Sequence, residues 1–272
     1  MRHETRRLIL LLLPVGVVFA AFFLLPMARL FLIGGSGKMG WAAYTAILTD
    51  DLYLGSLVST FAVAAATTAA TLVISGISGV FLQRHKFPGN AALVAMLTFP
   101  LAFPGVVIGF MVIMLAGRQG LIGQVTQALT GEKLVFAYTI AGLFMGYVYF
   151  SIPRTILTVM AAAEKLDPKL EEAARSLGAS PWHVLRDVII PGLKPAFISA
   201  GAICFATAVG AFGTAFTLAA RINVLPMVIY TEFTLSANIA MAAALSFVLG
   251  IVTWLVLAVA RTAAGSSVAA AG

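Results

Sequence analysis

Charged side chains are scarce in this sequence, with Asp, Glu, Lys and Arg making up only 10% of 272 residues. Soluble domains carry roughly a quarter, so a water-soluble globule is excluded, and the mean hydropathy of +1.04 agrees. The single cysteine, Cys204, sits in an apolar run, which excludes a disulfide framework and a thiolate metal site. Of the three histidines, His85 has no second His or carboxylate at ligand spacing and reads as an interfacial base. There is no glycine-rich phosphate loop, so ATP hydrolysis is not expected of this chain. An enzyme embedded in a membrane would need paired acids, a His cluster or a nucleophile at membrane depth, and none is visible.

What the sequence has instead is apolar length. A bilayer core needs about 20 apolar residues per helix, and runs near 8–33, 54–82, 91–117, 134–160, 193–220 and 236–260 meet that length with few charges. Continuous runs, rather than short alternating ones, indicate helices and not a β-barrel. The expected fold is therefore all-α: a single polytopic membrane domain over 1–272 with six spans and both termini cytoplasmic. The first run follows Arg2, Arg6 and Arg7 and is about twice a typical signal-peptide core, so it is read as a retained helix.

The net charge of +7 suggests a nucleic-acid partner until its distribution is considered. With the N-terminus inside and six alternating spans, only Arg29, Lys38, Arg118, Lys133 and Arg221 fall outside, five of 17 basic residues. That asymmetry follows the positive-inside rule. The basicity belongs to topology, and the expected surroundings are a lipid bilayer and no nucleic acid.

Local signals refine the spans. Trp41 and Tyr44 predict a short interfacial helix after span one. Small residues, Gly76 and Gly79 among them, predict that span two sits inside the bundle. Pro100 and Pro104 predict a kink in span three. Leu121 to Leu129 predicts an amphipathic stretch lying on the membrane. Span five is expected to open at Pro195, and the tail from Ala263 to Gly272 to be disordered. Arg29 and Arg154 read as side chains snorkelling from span ends. No internal repeat is visible.

One dense charged patch stands apart, in a loop at about 164–192 between spans four and five. Asp167-Pro168 is a helix start, an Asp N-cap followed by proline at the first helical position. Glu171 and Glu172 lie near the positive end of that helix. Leu170, Ala173 or Ala174, and Leu177 give a narrow apolar stripe, and Gly178 suits the left-handed residue that ends a helix. Ser180-Pro181 starts a second short helix that Pro191 is expected to terminate. Padding on an anionic leaflet would favour Lys and Arg, so the Glu pair points to a protein partner in water.

These residues resemble the inner-membrane permease subunits of binding-protein-dependent ABC importers. The family pattern is Glu-Ala-Ala, three residues, Gly, nine residues, then Ile-x-Leu-Pro. Here it reads Glu172-Ala173-Ala174, Gly178 and Val188-Ile189-Ile190-Pro191, with every interval kept and two conservative changes. The resemblance implies that the loop docks into a cytoplasmic ATPase. Glu171 and Glu172 would supply acid for a basic partner residue, Ala173 and Ala174 close packing, Gly178 the turn, and Pro191 the end of the motif. It further implies a second permease, of a different chain, two ATPase copies that use ATP and Mg, and an extracytoplasmic solute-binding protein. The chain would be a non-catalytic transport subunit with no cofactor of its own. A stand-alone channel or scaffold would leave the Glu172–Gly178–Pro191 spacing unexplained.

Gly210-Ala211-Phe212-Gly213-Thr214 and Leu225 to Tyr230 look like the permeases for polyamines, ferric iron, aminoethylphosphonate, molybdate and sulfate. Ala211 departs from the Glu that many of them carry. The resemblance implies a small charged or polar solute of the polyamine or aminoethylphosphonate type, with ferric iron or an oxyanion as the alternative. Tyr147, Thr207, Phe212 and Thr214, polar or aromatic groups in apolar spans, are the candidates for the translocation path. Glu232 and Arg221, in the outer loop, are candidates for the outer gate or for binding-protein contact.

Overall fold

Backbone groups inside a bilayer have no water to bond, so a spanning chain must satisfy them itself; the described chain does so entirely with helices. The computed structural model of the protein describes residues 2–218 and 222–264. Its elements are α1 Arg2–Phe19, a π turn Ala20–Leu24, α2 Leu25–Gly34, α3 Ala42–Thr49, α4 Asp51–Arg84, α5 Asn90–Thr98 and a 3₁₀ turn Phe99–Ala102. There follow α6 Gly105–Ala116, α7 Leu121–Thr130, α8 Ile140–Lys165, α9 Pro168–Ser176, α10 Pro181–Val184 and a π turn Leu185–Ile189. The chain continues with α11 Ile190–Val209, α12 Phe212–Leu218, α13 Leu225–Thr234 and α14 Ile239–Ala264. Six stretches are long and apolar enough to cross a membrane: Leu11–Gly34, Asp51–Arg84, Gly105–Thr130, Ile140–Lys165, Pro181–Val209 and Ile239–Thr262.

Two spans differ from the sequence expectation. The run 91–117 is not one kinked helix but two helices, α5 and α6. Pro104 disfavours the α conformation at the residue before it, and Phe103 is extended at φ −99, ψ 134. Pro104 is itself extended and becomes the cap from which α6 restarts, its carbonyl accepting from Val107 N at 2.9 Å. The fifth span breaks at Gly210 and Ala211 before α12 resumes. Its start also differs, because Pro191 does not terminate α10 and the span does not open at Pro195. Helix runs without interruption from Pro181 to Val209. Ile190 N–H bonds Leu185 O, a five-residue spacing, and this wider π turn relieves the clash that the Pro191 ring would make with the preceding turn.

The chain packs as two compact units, Met1–Leu57 with Val228–Val252, and Val58–Met227 with Thr253–Gly272. In the first, α3 supplies the expected interfacial aromatics. The Phe31 ring lies 5.1 Å from Trp41, 5.4 Å from Tyr44 and 5.0 Å from Phe247. The Tyr44 hydroxyl donates to the Phe31 carbonyl at 2.8 Å, supplementing the long 3.4 Å bond that carbonyl accepts from Gly35 N at the end of α2. Burial pushes the Tyr44 phenol above the usual tyrosine range.

In the second unit, α4 buries one face, while Val58, Val73 and Ile77 on the other are exposed. Thr60, Thr67, Thr71 and Ser75 are all buried along it, and a Cβ on Gly79 would stand 3.0 Å from Val159 of α8. Small residues at this crossing let the backbones approach. Thr60 Oγ1 accepts from Leu225 N at 2.7 Å. The Thr214 hydroxyl donates to the Gly105 carbonyl at 2.9 Å, tying α12 to the first turn of α6.

Candidate functional site

The loop between α8 and α11 is built by its capping residues. The Asp167 carboxylate accepts from Lys169 N at 3.0 Å and starts α9 behind Pro168. At the far end Gly178 takes φ +85, a conformation costing an ordinary residue roughly 1–2 kcal/mol. It permits Ala179 N to bond back to Ala174 O at 3.0 Å, and Gly178 N to Arg175 O at 2.9 Å. Ser180 then caps α10 and holds His183 Nδ1 at 2.7 Å. The helix–glycine–helix expected from the sequence is present, except that its second helix flows into the membrane span.

The two adjacent glutamates point to different surroundings. Glu171 is 8% exposed, and its Oε1 lies 2.6 Å from Arg84 Nη2 at the end of α4. Arg175, one turn on, approaches its other oxygen at 3.8 Å. Arg84 also donates to the Leu166 carbonyl at 3.1 Å, while its Nε is buried without a hydrogen-bond partner. Arg84 thus fastens both the start and the middle of the loop to the second unit. Its pairing with a residue 87 positions later leaves no local signal.

Glu172, by contrast, is exposed, as are Ala173, Arg175 and Gly178, with Ala174 half-buried. Leu170 is 53%, Leu177 88% and Trp182 62% exposed. An acidic group therefore stands beside an uncovered apolar face. Charged groups facing such a face give register, and apolar contact gives affinity. Pro191 is exposed on the outside of the continuous helix.

The four residues proposed for the path divide as well. Tyr147 is buried, and its hydroxyl donates to the Ala211 carbonyl at 2.7 Å, satisfying an acceptor freed by the break in the fifth span. Thr214 is buried and bonded to Gly105. Thr207 is half-buried and Phe212 exposed, Phe212 lying 5.3 Å from Phe216.

Arg154 lies inside α8, roughly 21 Å from Ile140 and about 16 Å from Lys165 at helical rise. Its Nη1 donates to Thr207 Oγ1 at 3.3 Å, and Thr207 passes its own hydrogen to the Ile203 carbonyl at 2.7 Å. The helix runs past 160, where the apolar run ends, to Lys165, so Arg154 stands farther from the helix end than that run implies. A guanidinium at the centre of a spanning helix costs about 2.5–3.5 kcal/mol on insertion scales.

Elsewhere, His85 stacks on Phe81 with its Nδ1 3.2 Å from the Phe81 carbonyl. Glu232 accepts from the Tyr53 hydroxyl at 3.1 Å, while Arg221 and the tail from residue 265 lie outside the described residues. Among the described residues there is no cluster of three or more His, Cys, Asp or Glu able to hold a metal.

Residues 74–265 match the family described as binding-protein-dependent transport system inner membrane component. The chain is 27% identical over 269 residues to the putative 2-aminoethylphosphonate transport system permease protein PhnU of Salmonella typhimurium, with 94% of each covered. It is 30% identical over 203 residues to the sulfate transport system permease protein CysT of Escherichia coli K12, covering 73% of this chain and 70% of that one. Over 154 residues it is 34% identical to the molybdenum transport system permease protein ModB of the same organism, covering 55% and 66%. Among solved structures, a bacterial ABC transporter involved in import of the acidic polysaccharide alginate matches with TM-score 0.80 at 14% identity over 96% of both chains. The inward-facing MetNI methionine ABC transporter matches with TM-score 0.61 at 19% identity over 78% of this chain and 94% of that one. At those identities the structural matches speak for the fold.

Proposed function

The chain belongs to the binding-protein-dependent transport system inner membrane components, the multi-pass permeases of ABC importers, and from that premise we propose that it forms half of a translocation pathway driven through the α9 loop. The other half is a second permease of different sequence. Two ATPase subunits on the cytoplasmic side receive the loop and supply the ATP and Mg chemistry, and a solute-binding protein delivers cargo to the other face. The carrying observation is the separation of roles within the Glu pair. Glu171 and Arg84 secure α9 to α4, while Glu172 stands free beside an exposed apolar face.

Force on α9 has two routes into the spans. One runs through the Arg84–Glu171 contact into α4. The other runs through Gly178 into the helix that continues from Pro181 to Val209. Closure of the ATPase dimer around ATP drags the loops together and turns the pathway from inward- to outward-facing. The cargo is a small charged solute of the aminoethylphosphonate type. The relatives named for sulfate and molybdenum support an oxyanion as the feature the cargoes share.

Co-purification tests the coupling. An ATPase subunit should come down with the wild-type chain, and Glu172→Lys should release it and abolish ATP-driven uptake while insertion in the membrane is unchanged. Normal uptake by Glu172→Lys would refute the assignment of the loop.

A further inference from the structure

Resting on the permease reading above, we propose that Arg154, positioned by Thr207, is an anion contact inside the translocation pathway that admits oxyanions and rejects polyamine-like cations. Three observations converge on it. First, depth: the guanidinium is carried in the middle of α8, far from both helix ends. Second, incomplete satisfaction: Thr207 Oγ1 takes one N–H of a group that has five. No carboxylate among the described residues stands within ion-pair distance of Arg154, and the side chain is exposed in the isolated chain.

Third, surroundings: Ser151, Thr155, Cys204 and Thr207, with the Phe150 ring, line a small cleft beside it, so hydroxyls and a thiol accompany the guanidinium between α8 and α11. Thr207 stands one turn before the Gly210–Ala211 break in the fifth span. A fixed positive charge at such a depth must face lipid, a partner helix or water, and lipid is the least favourable of these.

The chemistry selects the ligand class. A guanidinium presents parallel donors that match two oxygens of a phosphonate, sulfate or molybdate. The same charge repels a polyammonium chain, which gives selectivity by exclusion. Because each ion must also leave, one such contact with a threonine beside it is suited to a transient stop.

The test uses the assembled complex in proteoliposomes with its binding protein, comparing wild type, Arg154→Gln and Arg154→Lys in ATP-driven uptake of sulfate, molybdate, 2-aminoethylphosphonate and spermidine. Wild type should take up an oxyanion and exclude spermidine. Arg154→Gln should lower kcat/KM for that oxyanion about tenfold to a hundredfold, the loss of one charge-assisted partner, chiefly through KM. Arg154→Lys should retain part of it. Undiminished uptake by Arg154→Gln, uptake of spermidine alone by wild type, or failure of the Arg154→Gln complex to assemble would each overturn the proposal.

A second measurement needs no knowledge of the cargo. In a Cys204→Ala background, Thr207→Cys is labelled with an anionic sulfonate-bearing and a cationic ammonium-bearing methanethiosulfonate reagent. The anionic-to-cationic rate ratio should fall at least tenfold when Arg154→Gln is added. No labelling, or an unchanged ratio, places Arg154 against lipid or a partner helix and refutes the inference. Absence of ATPase co-purification and of any ATP-driven uptake by wild type would instead strike the permease reading, whatever the labelling shows.

Discussion

Removing Arg84 should unfasten α9 without removing the exposed face proposed to meet an ATPase. The Arg84 and Glu171 side chains retain 19% and 11% exposure, with 2.6 Å between the charged atoms. Truncating one partner of a fully buried pair costs about 3–5 kcal/mol, and losing a hydrogen bond to a charged group costs about 1.5–3 kcal/mol. The residual exposure, and Arg175 at 3.8 Å as a weak second partner for Glu171, place Arg84→Ala at about 2–3 kcal/mol, a factor of roughly 30 to 150 at 1.4 kcal/mol per decade. Leu166 O also loses its donor. A helix of nine residues is not stable alone in water, so an undocked α9 melts. Hydrogen exchange of the amides from Glu172 to Leu177 should therefore accelerate by about that factor, while those in the middle of α8 should not. ATPase stays bound through Glu172, but uptake per ATP falls. The exchanged pair, Arg84→Glu with Glu171→Arg, should recover most of the protection. Exchange in Arg84→Ala within threefold of wild type would refute the view that this contact holds the loop.

Two further outcomes are expected. Gly178 has open space where a Cβ would stand but sits at φ +85, so backbone strain alone is at issue: Gly178→Val should weaken ATPase co-purification, Gly178→Asn should be tolerated, and equal behaviour of the two would contradict this. The raised Tyr44 phenol favours the neutral form in the fold, so its contribution is complete below the unfolded tyrosine pKa of about 10 and is lost as pH rises through the folded value. Thermal unfolding should show Tyr44→Phe destabilised by about 0.5–1.5 kcal/mol at neutral pH, with the gap to wild type closing in strong alkali; a constant gap would remove the Phe31 carbonyl bond as its cause.

The local signals of the loop were legible because they act over a few residues. Asp167-Pro168 caps, Gly178 turns left-handed, and Ser180-Pro181 starts α10, each by chemistry contained in a tripeptide. Long apolar runs placed the first, second and sixth spans to within three residues and the fourth to within about six, since bilayer thickness imposes their length; the third and fifth are displaced by more than ten. What escaped was non-local or a contest between signals. Pro104 and Pro191 are the same residue type, yet Pro104 sits in a break and caps the next helix while Pro191 lies within a continuous one that widens into a π turn just before it. Glu171 and Glu172 are identical in composition terms and separate only because Arg84 waits on one side of α9. The end of α8 was placed five residues short because hydropathy marks where a helix is greasy, not where it stops.

The unbroken helix from the loop to Val209 has a kinematic consequence. From Leu185 to Thr207 it measures roughly 33 Å at 1.5 Å per residue, so a tilt of about 5° around the π turn, small for a hinge motion, sweeps Thr207 through roughly 3 Å. That stroke equals the whole length of the Arg154–Thr207 bond, 3.3 Å. Under the proposed coupling, each stroke of an ATPase partner would unhook the guanidinium from its tether and hook it back on the return, a ratchet tooth worked from outside the bilayer.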